Sequence, residues 1–164
     1  VQSGFSRSGN FFAFQQNNIK PHVITMAKGM GNGFPIGGIL VHPDLKPKYG
    51  MLGTTFGGNH LACSASLAVL EIIKKDKLQH HAKSMETYFR AKAEKIKGIK
   101  IKGRGLMLGL AFDFEVGPLR KSLIYEKNIF TGGSSNKNVL RILPPLTVQK
   151  KHFDRFFEAL EDLL

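Results

Sequence analysis

Between Gly29 and Gly38 the stretch "TMAKGMGNGFPIGG" (residues 25–38) carries five glycines. That density forbids a continuous helix or strand there, because ordered glycine loses the most backbone freedom. The flanks "HVITM" (22–26) and "PIGGILV" (35–41) are apolar and rich in β-branched residues. They predict two short strands, the first buried, joined by a tight loop. Lys28 lies where the first strand enters the glycines.

The other elements arrange themselves around this strand–loop–strand unit. Residues 1–22 read as a Gly/Ser/Asn/Phe-rich loop and a short helix that breaks at Pro21. Asp44 can cap a short helix reaching Tyr49. Asn59 opens a helix to Lys75 whose small residues predict packing on more than one face. An amphipathic helix follows over 78–97. Further on, "IKIKG" and "MLGLAFDF" alternate as strands about Gly103 and Gly105, and Pro118 fits the first turn of a helix over 117–127. "IFTGG" and "VLRILPPL" predict two more strands, and a last helix over 149–164 places Phe153, Phe156, Phe157, Leu160 and Leu163 on one side. The pattern divides the chain into an α/β part over 1–76 and a linking helix with a small α+β unit over 77–164.

Charge and cysteine content limit the function classes. The 164 residues carry a formal charge of +12. The excess lies mostly between Lys74 and Arg104, where lysines alternate with apolar residues at helical spacing, as on a solvated helix face. Nucleic-acid binding is suggested by charge alone, since no recognition motif with interleaved aromatics accompanies it. No apolar run is long enough to span a bilayer. The single cysteine, Cys63, sits in an Ala/Leu-rich pattern and reads as a small buried hydrophobe, which fits a reducing, cytoplasmic setting.

Three positions invite chemistry. A lysine held at a strand end can form an imine with a carbonyl cofactor or substrate if its amine is neutral; on spacing alone, a lysine beside a glycine turn is usually just solvated. The Lys28 order, lysine before glycines, matches neither a P-loop nor a dinucleotide fingerprint. Thr54 and Thr55 precede Gly57, Gly58 and the Asn59 helix start. They could complete a phosphate cup at a helix N-terminus, or Asn59 could simply cap the helix. Arg141, in the apolar run "VLRILPPL", could pair with a carboxylate or end on the wet face of a sheet.

Taken together and in order, "VQSGFSRSGNFFAFQ", "ITMAKGMGNGFPIGG", "GTTFGGNHLACSASLAVLE", "GRGLMLGL" and "LRILPPLTV" resemble the class III aminotransferases along the whole chain. The compact ending after "PPL" is most similar to the acetylornithine and succinylornithine branch. The resemblance implies the pyridoxal 5'-phosphate (PLP)-dependent transferase fold type I. Residues 1–76 would be the C-terminal part of its large domain, and 77–164 would hold its small C-terminal domain. It implies that Lys28 is the catalytic lysine that carries PLP. Val1 would pack on the pyridine ring, and Gln2 would hydrogen-bond near the ring hydroxyl. Thr55 would reach the phosphate of the neighbouring subunit, so the full-length enzyme would be a homodimer. Thr54 and Arg141 would meet substrate, and no metal is assigned.

The implied reaction moves the ω-amino group of an N-acylated ornithine to 2-oxoglutarate. Ornithine or 4-aminobutyrate transamination, an aminomutase, or a non-catalytic remnant are the alternatives, and no nucleic acid or membrane partner is expected. One departure stands out. The family's acid that pairs with the pyridinium nitrogen lies two residues before the valine that Val1 matches, and residues 1–43 contain no Asp or Glu. The expectation is that this chain alone binds PLP poorly and does not transaminate.

Overall fold

The computed structural model describes residues 1–164 as a mixed helix–sheet protein with two separate sheets. Strands β1 (Val23–Met26) and β2 (Gly38–Val41) form an antiparallel ribbon. Helices α1 (His60–Lys75) and α2 (Leu78–Ala93) follow, then β3 (Lys100–Arg104), β4 (Met107–Ala111), α3 (Gly117–Tyr125), β5 (Val139–Ile142) and α4 (Lys150–Glu161). The second sheet is antiparallel in the order β3-β4-β5.

Periodicity explains the core. Leu106, Leu108, Leu110 and Phe112 recur every second residue, so they share one face of the sheet. Ala82, Met85, Phe89 and Ala93 form a stripe on α2, and Phe153, Phe156, Phe157 and Leu160 form one on α4. These faces meet in one cluster of 18 buried residues, all from Ala82 onward. Phe89 is its centre, with no exposed surface and ring centroids 5.2 Å from Phe153 and 5.0 Å from Phe157. Burying a ring of that size contributes about 2–3 kcal/mol. On the rim, Asp154 of α4 accepts from Tyr88 Oη at 2.5 Å and pairs with Lys92 of α2 at 2.6 Å.

The first half has no comparable centre. Its cluster is Phe5, Ile73 and Leu78, with Met26, Met30 and Val69 against it. The loop over residues 1–22, with a 3-10 turn at Ala13–Gln16, is latched onto the second half. Leu106 N–H donates to Arg7 O at 2.8 Å, while the Arg7 guanidinium donates to Leu106 O at 3.3 Å and to Pro144 O. The crossing is close. At Gly105, where φ is +57°, a β-carbon would lie 2.4 Å from the Ser8 carbonyl carbon.

Several expectations are corrected here. Strand β1 is not buried; it alternates between exposed and half-buried positions, because only the small cluster lies against it. The second strand begins at Gly38, since the preceding residues are still turning back from the glycine loop. No helix follows Asp44. Pro47 biases Lys46 away from helical backbone, and Asp44 instead turns back on His42, with its N–H 3.4 Å from His42 Nδ1. Helix α1 buries only the stripe Ala62, Ser66 and Ile73, and Cys63 is exposed on it. "IFTGG" makes a single bridge, Gly132 to Arg141, and not a strand.

Candidate active site

Strand β1 ends at Met26, and one turn of 3-10 helix, Lys28–Met30, reverses the chain. Three bonds close the turn: Met30 N–H to Ala27 O at 3.1 Å, Gly31 N–H to Lys28 O at 3.1 Å and Phe34 N–H to Gly31 O at 3.0 Å. A β-carbon on Gly31 would lie 2.3 Å from Phe34 O, so the loop folds as tightly as it does only with glycine there. Lys28 itself has φ of +51°, a left-handed backbone that costs a non-glycine residue about 1–2 kcal/mol. From α1, Ser66 Oγ donates to Met30 O at 3.0 Å and pins the turn.

Lys28 then lines a cavity of about 370 Å³ with Gln2, Arg7, Asn32 and the apolar Phe5, Ile73, Pro145 and Leu146. Its walls carry two cationic side chains and no carboxylate. Burial pushes the Arg7 guanidinium below its ordinary pKa. Val1 lies next door, half exposed, in a smaller cavity of about 190 Å³ that shares Gly4 and Phe5 with the first.

Arg141 belongs to a neighbouring cavity of about 690 Å³, which shares Leu143 and Pro145 with the Lys28 cavity. It occupies the exposed position of β5 and exchanges backbone bonds with Gly132 at 2.9 and 3.0 Å. A β-carbon on Gly132 would lie 2.7 Å from Arg141 Nε, so the missing side chain makes room for the guanidinium. Arg120 and His152 line the same cavity, and the buried hydroxyl of Thr131 there has no hydrogen-bond partner. Arg120 Nε donates to Thr131 O at 3.1 Å. Two arginines on one concave wall suit a carboxylate.

Thr54 and Thr55 stand apart, exposed on the loop before α1 and outside the walls of both cavities. Thr54 Oγ1 accepts from Gly57 N–H at 3.2 Å. Asn59 Oδ1 accepts from Ala62 N–H at 2.9 Å, so the capping role of Asn59 is met. The structure therefore brings Lys28 and Gln2 to one cavity, sets Val1 and Arg141 in adjoining ones, and leaves the two threonines on a separate surface. Arg7 and Arg120 were not singled out in the sequence: Arg7 lies within "VQSGFSRSGNFFAFQ" but carries no signal of its own there, and Arg120 lies in no motif.

The Lys28 cavity fits part of what PLP requires. It offers a primary amine, a hydrogen-bonding Gln2 and a positive wall for an anionic aldehyde. It offers no acid to pair with a ring nitrogen.

Comparisons with known proteins give that amine its context. The family model "Aminotransferase class-III" matches residues 1–164. The acetylornithine aminotransferase of Aquifex aeolicus (strain VF5) is 42% identical over the whole chain, which spans 43% of that relative's length. "Alanine--glyoxylate aminotransferase 2 homolog 2, mitochondrial" of Arabidopsis thaliana is 38% identical over 98% of the chain and 37% of its own length. The crystal structure of ornithine aminotransferase from Toxoplasma gondii ME49 superimposes with a TM-score of 0.86 at 26% identity, covering 99% of this chain and 41% of that one. A further structure of the Toxoplasma gondii enzyme shows PLP at partial occupancy in its active site. Class III aminotransferases are PLP-dependent and share fold type I. With the family model matching the whole chain, the protein belongs to the class III aminotransferases.

Proposed function

We propose that these residues are the lysine-bearing, C-terminal portion of a cytoplasmic, homodimeric PLP-dependent transaminase. Its reaction passes the ω-amino group of an N-acylated ornithine to 2-oxoglutarate, giving a semialdehyde and glutamate. In this reading residues 1–76 close the large cofactor domain, and residues 77–164 form the linking helix and small domain. The 42% identity to an acetylornithine aminotransferase supports the choice of donor. The observation that carries the reading is Lys28, on a turn braced by Gly31 and Ser66, at the wall of a basic cavity.

When bound, PLP supplies an electron sink for the carbon that bears the migrating amine. Lys28 Nζ would hold it, and the free amine would carry the proton at that carbon. Gln2 would hydrogen-bond near the ring hydroxyl and Val1 would pack on the ring. Arg141, with Arg120 beside it, pairs with a substrate carboxylate, and Thr54 meets substrate. Thr55 serves the phosphate site of the neighbouring subunit, which accords with its distance from the Lys28 cavity walls. The Lys28 cavity holds no acid for the ring nitrogen, so the 164-residue chain alone is expected to bind PLP weakly and not to turn over.

Borohydride reduction of the chain with PLP, followed by peptide mapping, tests the assignment. A single adduct at Lys28, lost in Lys28→Ala, is expected. Adducts scattered over the many surface lysines would contradict it.

A further inference from the structure

Apart from the Lys28 cavity, one cluster of side chains converges without a role in the reading above. The ribbon pairs Val23 with Val41 at one end and Met26 with Gly38 at the end near Lys28. One step beyond Val23–Val41, His42 N–H donates to His22 O at 2.7 Å. His22 and His42 are therefore directly opposed, and opposed residues of an antiparallel pair project to the same face. Their ring centroids lie 5.4 Å apart. Asp44 follows after one intervening residue and sets Oδ2 3.2 Å from His42 Nδ1. One ring nitrogen from each histidine and one carboxylate oxygen all lie within 4.8 Å of one another.

We propose that His22, His42 and Asp44 bind a divalent first-row transition-metal ion of the zinc type, clipping the end of the ribbon remote from Lys28. The donor set decides the class. Two imidazoles and one carboxylate suit zinc and its neighbours, whereas calcium and magnesium select oxygen ligands. Bonds of about 2.0–2.2 Å to a tetrahedral ion put donors about 3.3 Å apart. The His42–Asp44 pair already has that spacing, and the widest separation closes by about 1.5 Å through rotation of exposed side chains. Three protein ligands leave a position for water. An ion pair alone would account for His42 and Asp44, but not for the second imidazole placed opposite. The sequence hides the site because the two histidines are twenty residues apart and meet only through the ribbon register.

An ion held there joins two strands that have little core behind them, so binding stabilises the ribbon by mass action. The inference is independent of the transaminase reading. The test is titration of the 164-residue chain with Zn2+ against a chromophoric chelator, with thermal unfolding in parallel. One equivalent should bind, and Zn2+ should raise the unfolding temperature. Affinity should fall about 100-fold in His22→Ala or His42→Ala and about 10-fold in Asp44→Asn, with the thermal shift lost. Cys63→Ser and His80→Ala should bind as the parent does, since the exposed thiol and that histidine lie outside the cluster. All substituted residues are exposed, and far-UV circular dichroism establishes that each variant folds. Absence of stoichiometric binding, binding that survives both histidine substitutions, or binding abolished by Cys63→Ser would each overturn the proposal.

Discussion

The two halves of this chain handle apolar side chains in opposite ways. From Ala82 onward, helices α2, α3 and α4 close over one face of a three-stranded sheet and bury 18 residues in one cluster. Before Leu78, helix α1 is more apolar in sequence than α2 or α4, yet its Leu61, Leu67 and Ile72 are 73%, 60% and 50% exposed. Ile39, Leu40 and Val41 of β2 are also exposed. The difference lies in partners. Each amphipathic face of the second half meets another within the same chain, while the faces of the first half meet only the Phe5–Ile73–Leu78 cluster. The Lys28 turn belongs to the open half, and Arg7 ties that half to the closed one.

Substitutions at apolar positions of the two halves should test this difference most clearly. Phe89→Ala should lower stability by about 3–5 kcal/mol in urea unfolding, whereas Leu67→Ala should change it by no more than about 0.5 kcal/mol. Equal effects would mean that α1 is buried in solution. Next in size, Gly105→Ala forces a β-carbon against Ser8 at positive φ and should cost about 1–3 kcal/mol. Its signature is faster exchange of the Leu106 amide, which bonds to Arg7 O. Asn59→Ala removes the α1 cap and should cost about 1 kcal/mol, seen as lost helicity confined to residues 60–75.

The smallest effect is pH-dependent. Hydrogen bonds from Lys92, then Tyr88, hold the Asp154 carboxyl below its ordinary range. The same bonds to Asp154 raise Lys92 and Tyr88 above theirs. A depressed acid stabilises fully above its unfolded pKa of about 3.9, and the contribution is lost as pH falls through the folded value. For the raised amine and phenol the contribution is full below about pH 10 and is lost as pH climbs. The Lys92 and Asp154 side chains are about one-third exposed, at 35% and 33%, so solvent keeps both limbs shallow. Asp154→Asn should flatten the acid limb of a melting-temperature profile; an unchanged profile would show that the α2–α4 pair contributes nothing.

What the sequence reveals follows the same division. Helices α2 and α4 were legible because their stripes at helical spacing find each other inside the chain. The β3–β4 hairpin was legible because Gly103 and Gly105 mark its turn. By contrast, the burial of β1, the packing of α1 and the environment of Cys63 were misread, since apolar composition reports what a face could bury and not what lies opposite it. The helix after Asp44 was misread because Asp44 serves a turn onto His42 and not a cap. In the candidate site, Lys28 stood out through its glycines, which the turn needs at Gly31. Arg7 and Arg120 did not, because their partners are backbone oxygens far away in sequence, such as Pro144 O for Arg7.

Hydrogen exchange resolved by peptide tests the division most directly. Amides of β4, β5, α2 and α4 should exchange at least about 100-fold more slowly than those of β1, β2 and the Lys28 turn. Uniform protection across the two halves would contradict the account, because it would require a core around the Lys28 turn comparable to the one around Phe89.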